Sequence, residues 1–171
     1  MELHLYTGPM FSGKSQALIQ AHGSYPGHSR LCYIPQMDHR SKKTITSWNG
    51  WSLPAIVVEK ETDIKFGWSV FIDEAQFFDA TELYRHLVNN IGVQAHVHVA
   101  GLQYDSNKRL FEWLWRLEPF ASSVIYFKAH CVLCDALCEH TYRRPEVGIA
   151  RLIVGGDEIY QPRCEACWGK P

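Results

Sequence analysis

The sequence predicts an α/β fold, a parallel sheet flanked by helices, followed by a small second lobe. Three observations predict it. Apolar runs of strand length alternate along the chain with stretches of helical spacing, the pattern of parallel strands joined by helices. A glycine-bounded turn, "GPMFSGKS", lies between the first strand pattern and the first helical one. From His130 onward the helical period stops, and five of the six cysteines appear. Two domains are expected, residues 1–129 for the α/β unit and 130–171 for the lobe.

"LHLYT" (3–7) reads as a strand and "KSQALIQAH" (14–22) as the helix that follows the turn. "HGSYPGHSR" (22–30), rich in Gly, Pro and Ser, is a turn, and "LCYIP" (31–35) is a second strand. Residues 36–53 are polar, with Asn49-Gly50 near their end, and are expected as one long loop. A loop of that length inside a compact domain is usually functional or disordered. "AIVVE" (55–59) and "WSVFID" (68–73) are apolar enough for strands buried on both faces. "ATELYRHLVNNIG" (80–92) has helical spacing and a glycine stop. "AHVHVAG" (95–101) is a strand, "LQYDSNK" (102–108) a loop, "RLFEWLWRLEP" (109–119) a helix, and "SSVIYF" the last strand of the series.

The chain has 171 residues, 46% of them hydrophobic and 20% charged, ample for a core of its own. A net charge of −1 gives no basic field to recruit nucleic acid or an acidic membrane, so neither partner is expected. The first residues, "MELHLYTGPM", lack the pattern of a signal peptide, and no apolar run approaches a membrane span. A cytoplasmic location is the expectation, and there cysteines serve as thiols or metal ligands in preference to disulfides.

Gly8-Pro9-Met10-Phe11-Ser12-Gly13-Lys14-Ser15 fits the phosphate-binding pattern G-x-x-x-x-G-K-[ST], with the strand before and helix after that it requires. In such a P-loop, backbone N–H groups turn inward around phosphate oxygens and the helix N-terminus adds positive potential. Lys14 is expected to reach the β- and γ-phosphates of ATP, and Ser15 to bind Mg²⁺. Asp73, ending the apolar run "WSVFI", is the natural second Mg²⁺ ligand. Beside it, Glu74 is a candidate general base. Its spacing alone does not say whether the proton comes from water or from a substrate hydroxyl.

Cys131 and Cys134 in "HCVLC", with Cys164 and Cys167 in "PRCEACW", form two C-x₂-C pairs separated by 29 residues. Four thiolates at this spacing close a tetrahedral site, which makes a bound Zn²⁺ structural. Cys138, His130 and His140 are possible substitutes, but Cys138 lacks a partner at two-residue spacing and is left out. Cys32 lies in a strand pattern and reads as a small buried hydrophobe. His96 and His98 share a strand face. With no third ligand beside them in the sequence, they are read as packing or hydrogen-bonding groups. Trp113 and Trp115 read as core or interface anchors.

Taken together, "GPMFSGKS", "DHR", "IDEAQFF", "GL" before an aromatic-basic loop, and "GGDEIY" between the cysteine pairs resemble the type II thymidine kinases, in order and over nearly the whole chain. The resemblance implies a P-loop core and a zinc-ribbon lobe whose lasso loop closes over the nucleoside. It implies transfer of the γ-phosphate of ATP to the 5′-hydroxyl of thymidine, giving dTMP, by a homotetramer. By the same resemblance Glu74 is the general base, and Asp38 and Arg40 lie by the phosphates and metal. Met10, Phe77, Leu102 and Phe111 correspond to nucleoside-pocket positions, and Thr141 to the bottom of the thymine site. Arg143 begins the lasso, and Gly155, Gly156 and Tyr160 belong to its returning strand. The chain departs from the family at Gln103, Ser106, Trp48 and Arg151, where the last stands in place of an aliphatic residue.

A pyrimidine needs flat apolar faces, and transfer must exclude water to outrun hydrolysis. Phe77, Phe111 and Tyr160 offer the first, and a zinc-stiffened lid the second. The chain spends its length beyond the P-loop core on that lid and not on coupling machinery, which favours a kinase. The alternatives are a P-loop ATPase with a nucleic-acid-binding zinc ribbon, or a nucleotide-binding relic of the kinase family.

Overall fold

The computed structural model describes residues 1–25, 29–38, 43–90, 94–148 and 150–170. Twelve strands and three α-helices are assigned among them. In chain order they are β1 (Glu2–Gly8), α1 (Lys14–Ser24), β2 (Arg30–Pro35), β3 (Thr44–Thr46), β4 (Ser52–Pro54), β5 (Ile56–Val58), β6 (Ser69–Ile72) and α2 (Ala80–Asn89). Then follow β7 (His96–Leu102), α3 (Glu112–Leu117), β8 (Ser123–Tyr126), β9 (Ala129–His130), β10 (Leu137–Cys138), β11 (His140–Arg143) and β12 (Tyr160–Arg163).

Six strands form one sheet in the order β5-β2-β6-β7-β1-β8, every pair parallel. Alternate residues of each strand face opposite layers, as the two-residue repeat requires. Leu3, Leu5, Val70, Ile72, Val97 and Val99 pack with Leu83 and Leu87 of α2 and with Trp113, Leu114 and Leu117 of α3. Tyr6, Cys32, Ile34, Phe71 and Ala100 pack on the other face with Leu18 of α1 and with Ile45. Helix α2 starts cleanly because the Asp79 carboxylate accepts the Thr81 and Glu82 N–H groups at 2.9 Å. Among the described residues no helix is long and apolar enough to cross a membrane.

His98 joins the second face as a packed neutral ring. It stacks on Phe71 at 4.8 Å and bonds Tyr6 Oη through Nδ1 at 2.9 Å. Burial, then the neighbouring His4 and His96, push its pKa down to about 3.

Within the long loop expected at 36–53, residues 39–42 lie outside the described residues, and the stretch from residue 44 onward belongs to a hairpin. β3 and β4 pair antiparallel, closed by a turn in which Gly50 takes φ +84°. Asn49-Gly50 is a hairpin-turn signal as much as a loop signal, and burial of Ile45 under α1 holds the strands to the core. The helix expected over 109–119 is α3 alone, continued as a 3₁₀ turn at Glu118–Phe120. Residues 109–111 are captured by the preceding loop. Asp105 accepts the Arg109 N–H at 3.0 Å, and Phe111 N–H bonds Gln103 O at 2.9 Å. The glycine stop expected at 92 lies outside the described residues.

In the lobe, β9 pairs with β10, and β11 with β12, antiparallel in both cases. Arg143 is the register partner of Tyr160, so the segment between β11 and β12 is a long loop tied at its base.

Candidate active site

The sheet delivers the P-loop from β1 and the acid pair from β6 to the same edge. Gly8 is required there, because with φ +151° an added Cβ would stand 2.5 Å from Phe127 O. Phe11 and Gly13 adopt left-handed conformations, φ 61° and 91°, which turn the loop back on itself. Lys14 is buried, with Nζ 2.5 Å from Pro9 O and 3.4 Å from Ser12 Oγ. A cleft of about 950 Å³ opens over this loop, lined by residues 10–16, Asp73 and Glu74. It falls at the upper end of sizes usual for small-ligand sites. The β3–β4 hairpin forms its rim, where Trp48 meets Phe11 edge-on at 5.3 Å.

Asp73 is buried and hydrogen-bonds Ser15, which brings a carboxylate and a hydroxyl oxygen, both hard donors of the kind Mg²⁺ takes, to one place. Burial first, and then the charge of Glu74, push its carboxyl up to about 7, while Ser15, the Glu74 N–H and Lys14 act in the opposite direction. A bound cation would favour the ionised form. Glu74 takes a left-handed backbone, φ 57° and ψ 43°, which costs a non-glycine residue about 1–3 kcal/mol. Its Oε2 accepts from Gln76 Nε2, and Gln76 Oε1 accepts the Leu102 N–H at 2.9 Å. Gln76 therefore ties the Glu74 carboxylate to the end of β7. Nothing in the local sequence marks this role, since a glutamine in an "EAQF" run carries no signal of its own.

Beneath the cleft is a smaller pocket of about 30 Å³ lined by Phe77, Phe111, Thr141, Gly155 and others. Met10, Glu74, Leu102 and Tyr160 line both spaces. Thr141 Oγ1 accepts the Met10 N–H at 2.9 Å, so the lobe reaches back to the P-loop. Tyr160 Oη donates to Ile153 O at 2.7 Å, tying down the returning arm of the loop. At Gly155 the Ile159 side chain packs against the backbone, and an added Cβ, 2.3 Å from Ile159 Cδ1, would make that side chain turn aside. Gly156 lines the upper cleft and not the smaller pocket. Asp38 is buried just beyond β2 and lines neither space. Arg40 lies outside the described residues. Gln76, Tyr104, Asp105, Ser106 and Arg151 also line the smaller pocket, brought there by loops whose proximity no spacing rule encodes.

Cys131, Cys134, Cys164 and Cys167 gather with all four sulfurs within 4.8 Å of one another, and none forms a disulfide. Cys134 and Cys164 Sγ are 3.5 Å apart. Sulfurs around a tetrahedral Zn²⁺ at ~2.3 Å stand at roughly that separation, so the donor set fits. Cys138 is buried beside the four and outside the cluster. Glu165, within the second pair, bonds Lys108 at 2.6 Å, and Lys108 also lies 4.3 Å over the Trp168 ring. The metal-binding end of the lobe is thus docked on the loop after β7.

A lysine-bearing phosphate loop, a buried carboxylate beside its serine, and a second carboxylate shared with an adjoining pocket define a P-loop phosphotransferase. A family model described as "Thymidine kinase" matches residues 1–168. Thymidine kinases of three Mesomycoplasma hyopneumoniae strains (7448, J and 232) are 31% identical over 174 residues, spanning 96% of this chain and 94% of theirs. The chain belongs to the thymidine kinase family and is an ATP-dependent phosphotransferase.

Proposed function

We propose that the enzyme phosphorylates the 5′-hydroxyl of thymidine with the γ-phosphate of ATP, and that Glu74 is its general base. One observation carries this reading: Glu74 stands on the wall common to the phosphate cleft and the smaller pocket. A hydroxyl presented from the pocket would meet a phosphate in the cleft at that carboxylate, the geometry general-base transfer needs. The backbone N–H groups of Phe11–Ser15 cradle the triphosphate, Lys14 and Arg40 stabilise charge on the transferring group, and Asp38 keeps the place near the metal that the resemblance gives it. Ser15 and Asp73 are the residues that would hold Mg²⁺. Bound there, the ion neutralises charge developing on the phosphate oxygens.

Met10, Phe77, Leu102 and Phe111 supply apolar faces for the base, and Thr141 closes the pocket floor. Gly155, Gly156 and Tyr160 supply the returning arm of the lasso. Residues 1–129 act as the nucleotide-binding domain and 130–171 as the lid, stiffened by Zn²⁺ at the four thiols. That lid excludes water, so transfer outruns hydrolysis. The cytoplasm suits a protein whose cysteines are thiols.

Assembly as a homotetramer rests on the family resemblance, and the exposed Trp115, Phe120, Ile125 and Tyr126 are candidates for a contact between chains. Light scattering on a sizing column would read four chains, and a monomer would end that part of the proposal.

The deciding assay follows ADP and dTMP together, with and without thymidine. ADP that appears only with thymidine, matched by dTMP, is the expected outcome. Glu74→Gln should slow transfer about 10²–10⁴-fold with ATP affinity kept. Turnover within about tenfold of the parent would remove Glu74 as the base.

A further inference from the structure

His96 was left without a metal-binding partner by its neighbours in sequence, and the sheet supplies two. In the β1–β7 register Glu2 lies beside His96 and His4 beside His98. Glu2, His4 and His96 therefore emerge on one face at the start of these strands, the end opposite the P-loop. Glu2 Oε2 is 3.0 Å from His96 Nδ1 and 3.8 Å from His4 Nε2, and the three donor atoms lie within 4.8 Å of one another.

The His4 ring is held in place. Its Nδ1 bonds Ser123 Oγ at 2.8 Å, and its ring stacks on His98 at 4.7 Å. That leaves Nε2 facing Glu2, shut off from solvent and without a hydrogen-bond partner. A buried nitrogen with no partner is unfavourable, and a cation would satisfy it. A second bond that fixes the ring is also what metal-binding imidazoles usually show. Donors on one ion at ~2.1 Å stand roughly 3–3.5 Å apart, which the exposed Glu2 side chain approaches by rotation and the partly exposed His96 ring by turning toward the fixed His4 ring.

We propose that Glu2, His4 and His96 form a second metal site, separate from the four thiols, for a borderline divalent ion such as Ni²⁺ or Zn²⁺. Two imidazoles and a carboxylate suit these ions, with water completing the coordination. The site joins the start of β1 to β7. The test is a calorimetric titration with Ni²⁺ of untagged protein whose thiol site already holds zinc. A single further ion per chain is expected, with a raised melting temperature. Glu2→Gln, at an exposed position, and His4→Ala should each abolish that binding. Ser123→Ala, which touches no ion, should weaken it about tenfold by releasing the His4 ring. No binding, or binding that survives Glu2→Gln and His4→Ala unchanged, would overturn the site.

A different observation carries a second inference, which rests on the thymidine kinase reading. Arg151, from the loop between β11 and β12, crosses to the loop after β7. Its Nε donates to Asp105 Oδ2 at 3.0 Å, its Nη2 to Leu110 O at 3.3 Å, and its guanidinium lies 5.3 Å from the Phe111 ring centre. The Asp105 side chain is fully buried and also accepts the Asn107 and Arg109 N–H groups at 2.9 and 3.0 Å. The guanidinium is thus a flat plate fixed along one edge, and the small Ser106 lies in the same pocket lining. Guanidinium groups stack on planar rings, which a lysine ammonium cannot do.

The geometry points to Arg151 as a wall of the nucleobase site that sets nucleoside affinity, with Asp105 as its positioning residue. In binding titrations Arg151→Ala should weaken thymidine at least about tenfold, and Arg151→Lys should recover only part of the loss, while the ATP dissociation constant stays put. An unchanged thymidine constant, or an equal loss for ATP, would overturn the role. Parent protein that binds no thymidine would sink the kinase reading and this inference with it.

Discussion

In the α/β core, β1, β6 and β7 bury Leu3, Leu5, Val70, Ile72, Val97 and Val99 almost completely against α2 and α3. Each such side chain contributes about 1.5–3 kcal/mol by leaving water. In the cysteine lobe, the buried apolar cluster among the described residues is Ala129, Cys131, Cys138 and Cys167, and three of those are thiols. So little apolar area cannot offset the entropy of ordering the segment, and small units of this kind need a staple. The core is a fold that carries a site. The lobe is a site that carries a fold, since the same four cysteines that would bind metal are also what it packs around. The cysteine pair after β12 holds that strand, and β12 carries Tyr160 into the pocket wall that also includes Glu74.

The comparison can be broken most severely at the staple. Cys164→Ser should remove the metal and unfold the lobe, since structural zinc sites are worth about 10–16 kcal/mol of binding energy that doubles as folding energy. Nucleoside phosphorylation should vanish while the P-loop still binds ATP. Unchanged metal content by mass spectrometry would show that the four thiols are not the ligands.

A cut in the core should give the complementary pattern. Trp113 is buried to 1%, its Nε1 donates to Leu102 O at 3.0 Å, and its ring lies 2.8 Å from where a Gly101 Cβ would stand. Trp113→Ala should lower global stability by about 3–5 kcal/mol in a denaturant titration, with zinc still bound to the folded protein. A loss below about 1 kcal/mol would mean the site collapses around the gap.

The mildest probe leaves the sequence intact and counts reactive thiols. Burial pushes the Cys32 thiol up to about 11, so its thiolate is scarce near neutral pH, while Cys134 is exposed. Chelation should release the lobe thiols to an alkylating reagent, and Cys32 should react only when the core is denatured. Simultaneous labelling of Cys32 with the lobe would show that the two regions unfold together.

Much of the site was legible because its parts are local. Gly8–Ser15 is one turn between one strand and one helix, Asp73-Glu74 is one strand end, and each C-x₂-C pair is one knuckle. Chemistry confined to a few consecutive residues leaves its mark on spacing. The hairpin over 43–54 was harder to read, because its turn residues are those of a loop and only Ile45 in the core distinguishes them. Gln76, Asp105 and Arg151 were harder still. Their roles lie in bonds to Glu74, to Arg109 and to each other across as many as 46 positions.

The sequence by itself determined the parallel sheet, the phosphate loop, the acid pair and the four thiols, because each follows from a short-range period or spacing. The tertiary structure alone decided that Glu74 faces two cavities at once, that Arg151 closes on a buried Asp105, and that Glu2 and His4 come alongside His96. Those relations depend on strand order and loop docking, where parallel pairing joins residues some ninety positions apart and no local pattern records the partner.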